Sequence, residues 1–337
     1  MMNESTLKKL LAEIPRHPVG VLGDFCVDAY WELRPELGER SIETGIVTTP
    51  VASARYSPGG AGNVAANLRG LGARRIFCFG AVGDDPFGHW LSGALFPESG
   101  DAGDRLLRVG RAQYHTPVYC KPLLDGREQS RFDLGGEPID DSEAGQLLES
   151  LETALPQLEV LIVNQQLHHG IHTDTFRREF AALLARTPRP PLVVFDGREH
   201  LDAYRGVILK INSTAASQLA FGHPEAPPER SGAAVAQRTG NEVVVTDGEN
   251  GCFVFARGET TFIPAIRLPG PVDTVGAGDS FSAGFALALA SGFPMTAAAE
   301  FGNLCAAVTI RKLAQTGTPS PEEITALFAE SLAARSR

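Results

Sequence analysis

The strongest constraint on the fold is a rhythm in the second half of the chain. Short apolar runs, each ending in a polar residue, recur as Val160-Leu-Ile-Val-Asn164, Leu192-Val-Val-Phe-Asp196, Val207-Ile-Leu-Lys-Ile-Asn212 and Glu242-Val-Val-Val-Thr246. Stretches with helical spacing, such as 142–155 and 174–185, lie between them. A strand that is apolar on both faces must be covered on both. The alternation therefore implies an α/β fold whose central, mostly parallel sheet has helices on each face. Ligands bind such sheets beyond the carboxyl ends of the strands. Asn164, Asp196, Asn212 and Thr246 are thus expected along one edge, which should be the active cleft.

Two β-prone regions, 46–55 and 113–133, break this rhythm. In the second, Asp125-Gly126 separates Val118-Tyr-Cys-Lys-Pro-Leu-Leu from Gln129-Ser-Arg-Phe-Asp, a strong hairpin signal. Both regions read as one small excursion from the main sheet, inserted at about 33–57 and 110–135 in a single domain spanning 1–337. The Pro- and Gly-rich stretch Gly222-His-Pro-Glu-Ala-Pro-Pro228 is followed at once by helix and strand signals, so it reads as a loop within the fold.

A net charge of -10 argues against nucleic acid as the main partner, while leaving room for a local basic pocket. Five widely spaced cysteines, Cys26, Cys78, Cys120, Cys252 and Cys305, without a C-x-x-C pair, read as thiols in a reducing compartment. Residues 1–14 have helical spacing and lack the features of a signal peptide. No run reaches the roughly 18 apolar residues of a membrane span, so the expected location is the cytoplasm. His168, His169 and His172 have no carboxylate or cysteine cluster beside them, and no side chain is assigned to a metal.

Asp273-Thr-Val-Gly-Ala-Gly-Asp279 runs directly into Ser280-Phe-Ser-Ala-Gly-Phe285. A turn with two glycines opening an apolar helix leaves amide N–H groups unpaired where the helix dipole also favours an anion. The turn ends in a carboxylate. Beside a bound phosphate, such a group has a use if it takes a proton from the incoming nucleophile, so the stretch points to phosphoryl transfer with Asp279 as base. A second Gly-rich stretch, Ser57-Pro-Gly-Gly-Ala-Gly-Asn-Val-Ala-Ala-Asn67, enters a helix of small residues. It allows close approach of a ligand to the backbone, and Asn63 offers both a donor and an acceptor to hydroxyls.

These two stretches, in this order, resemble the two signatures of the ribokinase-like (PfkB) family of carbohydrate kinases. Gly23-Asp-Phe-Cys-Val-Asp-Ala-Tyr-Trp31 is most similar to bacterial heptose-phosphate kinases. The resemblance implies a three-layer ribokinase-like sandwich with a small β lid that closes over the sugar and pairs with a second subunit. It implies ATP and Mg²⁺ as cofactors and a sugar or sugar phosphate as acceptor. Asp28, Gly60, Asn63 and Gln165 would bind the acceptor. Asn212, Thr246, Gly248, Gly251 and Asn303 would bind the nucleotide. Gly276, Ala277 and Gly278 would form the anion hole, with Asp279 as base.

Two departures stand out. The family usually carries Asn-x-x-Glu where this chain has Asn212-Ser-Thr-Ala215, with Asp247 and Glu249 as conceivable substitutes. Asn164-Gln-Gln-Leu-His-His-Gly170 stands where heptose kinases have Ser-Asp-Tyr-x-Lys-Gly. Beside the sugar kinase, two readings stay open: a nucleoside or vitamin-like alcohol kinase of the same fold, and a sugar-binding regulatory protein weakened in catalysis.

Overall fold

The computed structural model describes residues 2–97, 103–313 and 317–335. Among these, strands β1 (Pro18–Gly23), β2 (Phe25–Leu33), β3 (Val51–Gly60), β4 (Arg75–Gly83), β5 (Asp104–Val109), β6 (Val118–Leu124), β7 (Arg127–Glu128) and β8 (Phe132–Leu134) occupy the first half. In the second half, β9 (Val160–Gln165), β10 (Leu192–Gly197), β11 (Ile208–Asn212), β12 (Glu242–Thr246), β13 (Gly251–Ala256) and β14 (Glu259–Pro264) alternate with helices. The helices are α1 (Glu4–Glu13), α2 (Ala61–Gly70), α3 (Pro86–Leu95), α4 (Asp141–Ala154), α5 (Asp174–Arg186), α6 (Ser213–Phe221), α7 (Pro228–Thr239), α8 (Ala277–Ala290), α9 (Met295–Thr309) and α10 (Pro321–Arg335).

The main sheet runs β14-β13-β12-β11-β10-β9-β1-β4-β5. From β12 to β5 all pairings are parallel; β13 and β14 close one edge as an antiparallel hairpin. Alternate residues of one strand serve two cores. Val160 and Ile162 pack with Phe281, Phe285 and Phe301 from α8 and α9, while Leu161 and Val163 pack with Phe176, Phe180 and Leu183 of α5 and Leu147 and Leu151 of α4. Fully burying each such side chain contributes about 1.5–3 kcal/mol. The sheet is thus covered on both faces, as the apolar runs require.

A second sheet, β3-β2-β6-β7 with β8 also on β6, stands apart. It begins at Phe25, earlier than the expected 33, because the chain leaves β1 and turns directly into it. Residues 46–50 form no strand beyond an isolated bridge from Val47 to Arg40, and β3 instead runs from Val51 to Gly60. At the hairpin tip Asp125 and Gly126 both have positive φ, 50° and 74°, as a tight two-residue turn demands. The pairing register gives this sheet two chemically different faces. Asp28 pairs with Ser57 on one side and Tyr119 on the other, and Tyr30, two residues on, with Arg55 and Lys121; on the opposite face Val118 pairs with Val27 and Leu134.

Candidate active site

Helix α8 starts without a side-chain cap. Its N-cap, Gly276, has φ 77°, and no hydroxyl or carboxylate satisfies the first-turn amides. Ala277 donates its N–H to the Thr274 carbonyl at 3.2 Å. The helix behind the turn is apolar on every side, with Phe281, Phe285 and Leu287 buried. It therefore sits against the sheet like a core element while its open N-terminus reaches the strand ends.

Three polar contacts fix that N-terminus. Lys210 of β11, inside a buried strand, bonds both Asp196 oxygens at 3.0 Å and reaches the Gly278 carbonyl at 3.4 Å. Ser282 donates to Asp196 at 2.6 Å. Lys210 and Asp196 are 6% and 7% exposed, so each charge depends on the other. From the opposite side, Asn63 near the start of α2 donates to Asp279 at 2.7 Å. The Asn63 oxygen in turn accepts from Asn67 at 3.0 Å, which orients the amide. The two Gly-rich stretches therefore meet, through Asn63 and Asp279.

Asp279 is half-buried, and its environment reshapes its acidity. Burial raises the carboxyl pKa and nearby Asp196 adds to the rise; the Asn63 hydrogen bond and the charges of Lys210 and Arg198 pull it down. The balance puts it at about 7. Such a group accepts a proton readily near neutral pH.

Asp28 lies on the small sheet, where Lys121 bonds it at 2.7 Å. Burial works against the Lys121 charge, yet Asp28 beside it holds the Lys121 pKa above its usual value. Cys26, whose thiol pKa is raised by burial and then by Asp28, Asp279 and Asp24, sits within the field of all three carboxylates. Gly60 has φ 56°, and a Cβ there would meet the Asp24 carbonyl at 2.4 Å and the Cys26 sulfur at 3.4 Å, so only glycine lets β3 pass into α2 here. Asn63 and Asp279 are thus in direct contact, and Cys26, beside Gly60, feels the charges of both Asp28 and Asp279.

Gln165, expected to bind the acceptor, bonds protein backbone on both sides of its amide. It is buried; its oxygen accepts from the Arg198 and Glu199 amides at 2.9 and 2.7 Å, and its nitrogen donates to the Leu167 carbonyl at 2.7 Å. Its side chain is spent on holding two loops together. Asp24 does similar work: its carboxylate accepts from Gln166, Leu167 and Ile171 amides at 2.8, 2.9 and 3.0 Å. A Cβ at Gly170 would lie 2.0 Å from that carboxylate. Of the expected edge row, Asp196 and Asn164 are buried, and Asn164 is completely so.

The residues expected to meet a nucleotide collect at the other end of the edge. Asn212 pairs in register with Thr246, and Gly248 and Gly251 shape the turn between β12 and β13. Asn303 of α9 donates to the Ile263 and Pro264 carbonyls at 3.4 and 3.3 Å and lines a cavity of about 440 Å³ with Leu304 and Phe328.

Side chains suited to organise magnesium are another matter. Asn212 caps α6 by accepting from the Ala215 amide, and Ala215 brings no charge. Among the described residues no group of three His, Cys, Asp or Glu side chains is placed to hold a metal ion, and Asp247 accepts from Asn250 at 2.8 Å.

Lys121, Lys210, Ser282 and Asn67 were not singled out in the sequence. The available signal was a lysine inside an apolar run, in Ile208-Leu-Lys-Ile and Val118-Tyr-Cys-Lys, since a buried charge needs a partner.

Residues 201–323 match the family described as pfkB family carbohydrate kinase. The bifunctional protein HldE of Azorhizobium caulinodans is 29% identical over 311 residues, covering 90% of this chain and 63% of that protein. HldE of Aeromonas salmonicida is 28% identical and covers 96% of this chain and 66% of its own length. The chain thus spans somewhat under two thirds of the first of these relatives. Arabidopsis thaliana ribokinase, in a structure with ribose and ATP, superposes with a TM-score of 0.68 at 23% identity, over 92% of this chain and 98% of that one. Escherichia coli phosphofructokinase-2, in complex with fructose-6-phosphate, gives 0.71 at 18% identity, over 94% and 99%. The fold is ribokinase-like, and residues 201–323 carry the match to the pfkB carbohydrate kinase family.

Proposed function

We propose that the chain is an ATP-dependent sugar kinase that transfers the γ-phosphoryl group to a hydroxyl of a sugar or sugar phosphate. The observation that carries this reading is the placement of Asp279: a carboxylate with a pKa of about 7, oriented by Asn63, in the first turn of an uncapped helix. The acceptor hydroxyl gives its proton to Asp279 while its oxygen forms a bond to the γ-phosphorus. The bond from that phosphorus to the bridging oxygen breaks, and ADP leaves. Amides of the Gly276-Ala277-Gly278 turn meet the phosphoryl oxygens, the Ala277 amide by exchanging its 3.2 Å contact to Thr274. Lys210 and Asp196 hold this turn still during transfer.

The acceptor lies against Asp28 and Gly60, with the small sheet over it. The nucleotide lies along Asn212, Thr246, Gly248 and Gly251 towards Asn303. Magnesium enters only as the ion that the nucleotide brings on its phosphates. A phosphoryl-transfer screen over hexoses, pentoses, heptose phosphates and nucleosides tests the reading. ADP release with a sugar or sugar phosphate supports it, and preference for a nucleoside moves the acceptor class. Ala215 favours one competing reading, a sugar-binding protein with little turnover. Sugar binding by calorimetry without ADP release at any Mg²⁺ concentration would select that instead.

A further inference from the structure

Phosphoryl transfer spreads negative charge over the transferred oxygens, and a cation normally meets it. At the strand edge beside Asn212, a cavity of about 590 Å³ is lined by Arg198, Glu199, Asp202, Asn212, Thr214 and Ala215. Its two carboxylates are already committed. Glu199 bonds His168 at 2.7 Å, and Asp202 bonds Arg238 at 2.7 Å. Arg198 has no carboxylate partner among the described residues, and its side chain is exposed to the cavity. Arg198 is thus the guanidinium of this cavity that no carboxylate bonds, and Ala215 brings no charge to it.

The backbone that carries this arginine is held firmly. Its own amide and that of Glu199 both donate to Gln165, and Asp196, two residues earlier, is locked to Lys210 and Ser282. The guanidinium lies where its charge acts both on Asp279 and on Tyr119 of the small sheet. A fixed Cα with a free planar fork suits bidentate capture of a phosphate.

We propose that Arg198 grips the terminal phosphate of the nucleotide and holds it in front of Asp279. This rests on the sugar-kinase reading and assigns the phosphate subsite within it.

Calorimetric titration of ATP and of ADP, each with EDTA and with Mg²⁺, tests it. Wild-type protein is expected to bind ATP more tightly than ADP even in EDTA. Arg198→Met is expected to weaken ATP binding at least tenfold, the loss of about one charged hydrogen bond, while ADP binding changes by less than about twofold. Arg198→Lys should fall between, since it keeps the charge and loses the fork. Ala215→Glu, which sets a carboxylate facing the arginine, should weaken metal-free ATP binding and make it magnesium-dependent. An unchanged ATP-to-ADP ratio in Arg198→Met overturns the assignment and leaves the kinase reading standing. So does a loss confined to a phosphorylated sugar, which would give Arg198 to the acceptor. Wild-type protein that binds no ATP overturns both. Arg198 is exposed, so its variants should keep the wild-type unfolding midpoint.

Discussion

Asp279 pays for its reactivity in stability, and the sign can be worked out. Its pKa is raised from 3.8 to about 7 in the folded chain, so between those values the folded state holds a proton that the unfolded state has lost. Stability therefore falls as pH rises from about 4 to about 7. Asp279→Asn should be at least as stable as wild type at pH 8, the difference fading towards pH 4, as read by urea denaturation. In activity the same pKa gives an acid limb: kcat/KM should fall about tenfold per pH unit below roughly 7, because the protonated carboxyl cannot accept a proton. Lys210→Met is expected to behave in the opposite way. It strands Asp196 in the interior with Ser282 as its remaining donor and should cost about 3–5 kcal/mol of stability, measured by the same denaturation.

At the scale of elements, the apolar runs made β9 to β12 and their order legible, and the polar residue closing each run marked the edge on which the candidate site lies. The contact of Asn63 with Asp279 was legible only as two motifs, since nothing local says that α2 and α8 meet. Strand β2 was harder. Phe25 to Leu33 follows β1 after a single residue, so β1 and β2 blur into one apolar stretch, and the change of sheet shows only in three dimensions. The partner of Lys121 was hidden for a like reason, lying on a strand remote in sequence, whereas that of Lys210 lies on the strand just before it. Gln165 shows the limit of a motif position. The residue sits at the cleft by register, yet its amide is consumed by the Arg198, Glu199 and Leu167 backbone. The loop it helps to hold depends on Asp24 as well. Asp24→Ala would leave three amides without their acceptor, at about 1–3 kcal/mol for each that water does not reach. The expected outcome is a destabilised protein whose KM for the acceptor rises more than its kcat falls, checked by denaturation and steady-state kinetics.

For the whole molecule, the small sheet is the part still open to a partner. Ile42, Ile46, Phe132 and Leu134 on its strands and loops are 99%, 69%, 60% and 47% exposed, a concentration of apolar surface that a lone chain leaves in water. Pairing with a second copy through this sheet would cover it. Sedimentation should then give twice the chain mass, and Phe132→Asp with Leu134→Asp should give single chains. Among the described residues no helix is long and apolar enough to cross a membrane. Everything proposed for the site converges on one geometry, with the amide turn and Asp279 facing the same phosphorus. A crystal structure with a non-hydrolysable ATP analogue and the acceptor identified by the screen tests this most directly. The expected result is a terminal phosphorus within about 3–3.5 Å of an acceptor hydroxyl that is hydrogen-bonded to Asp279. A phosphorus lodged away from the Gly276-Gly278 turn, or a hydroxyl out of reach of Asp279, would contradict it.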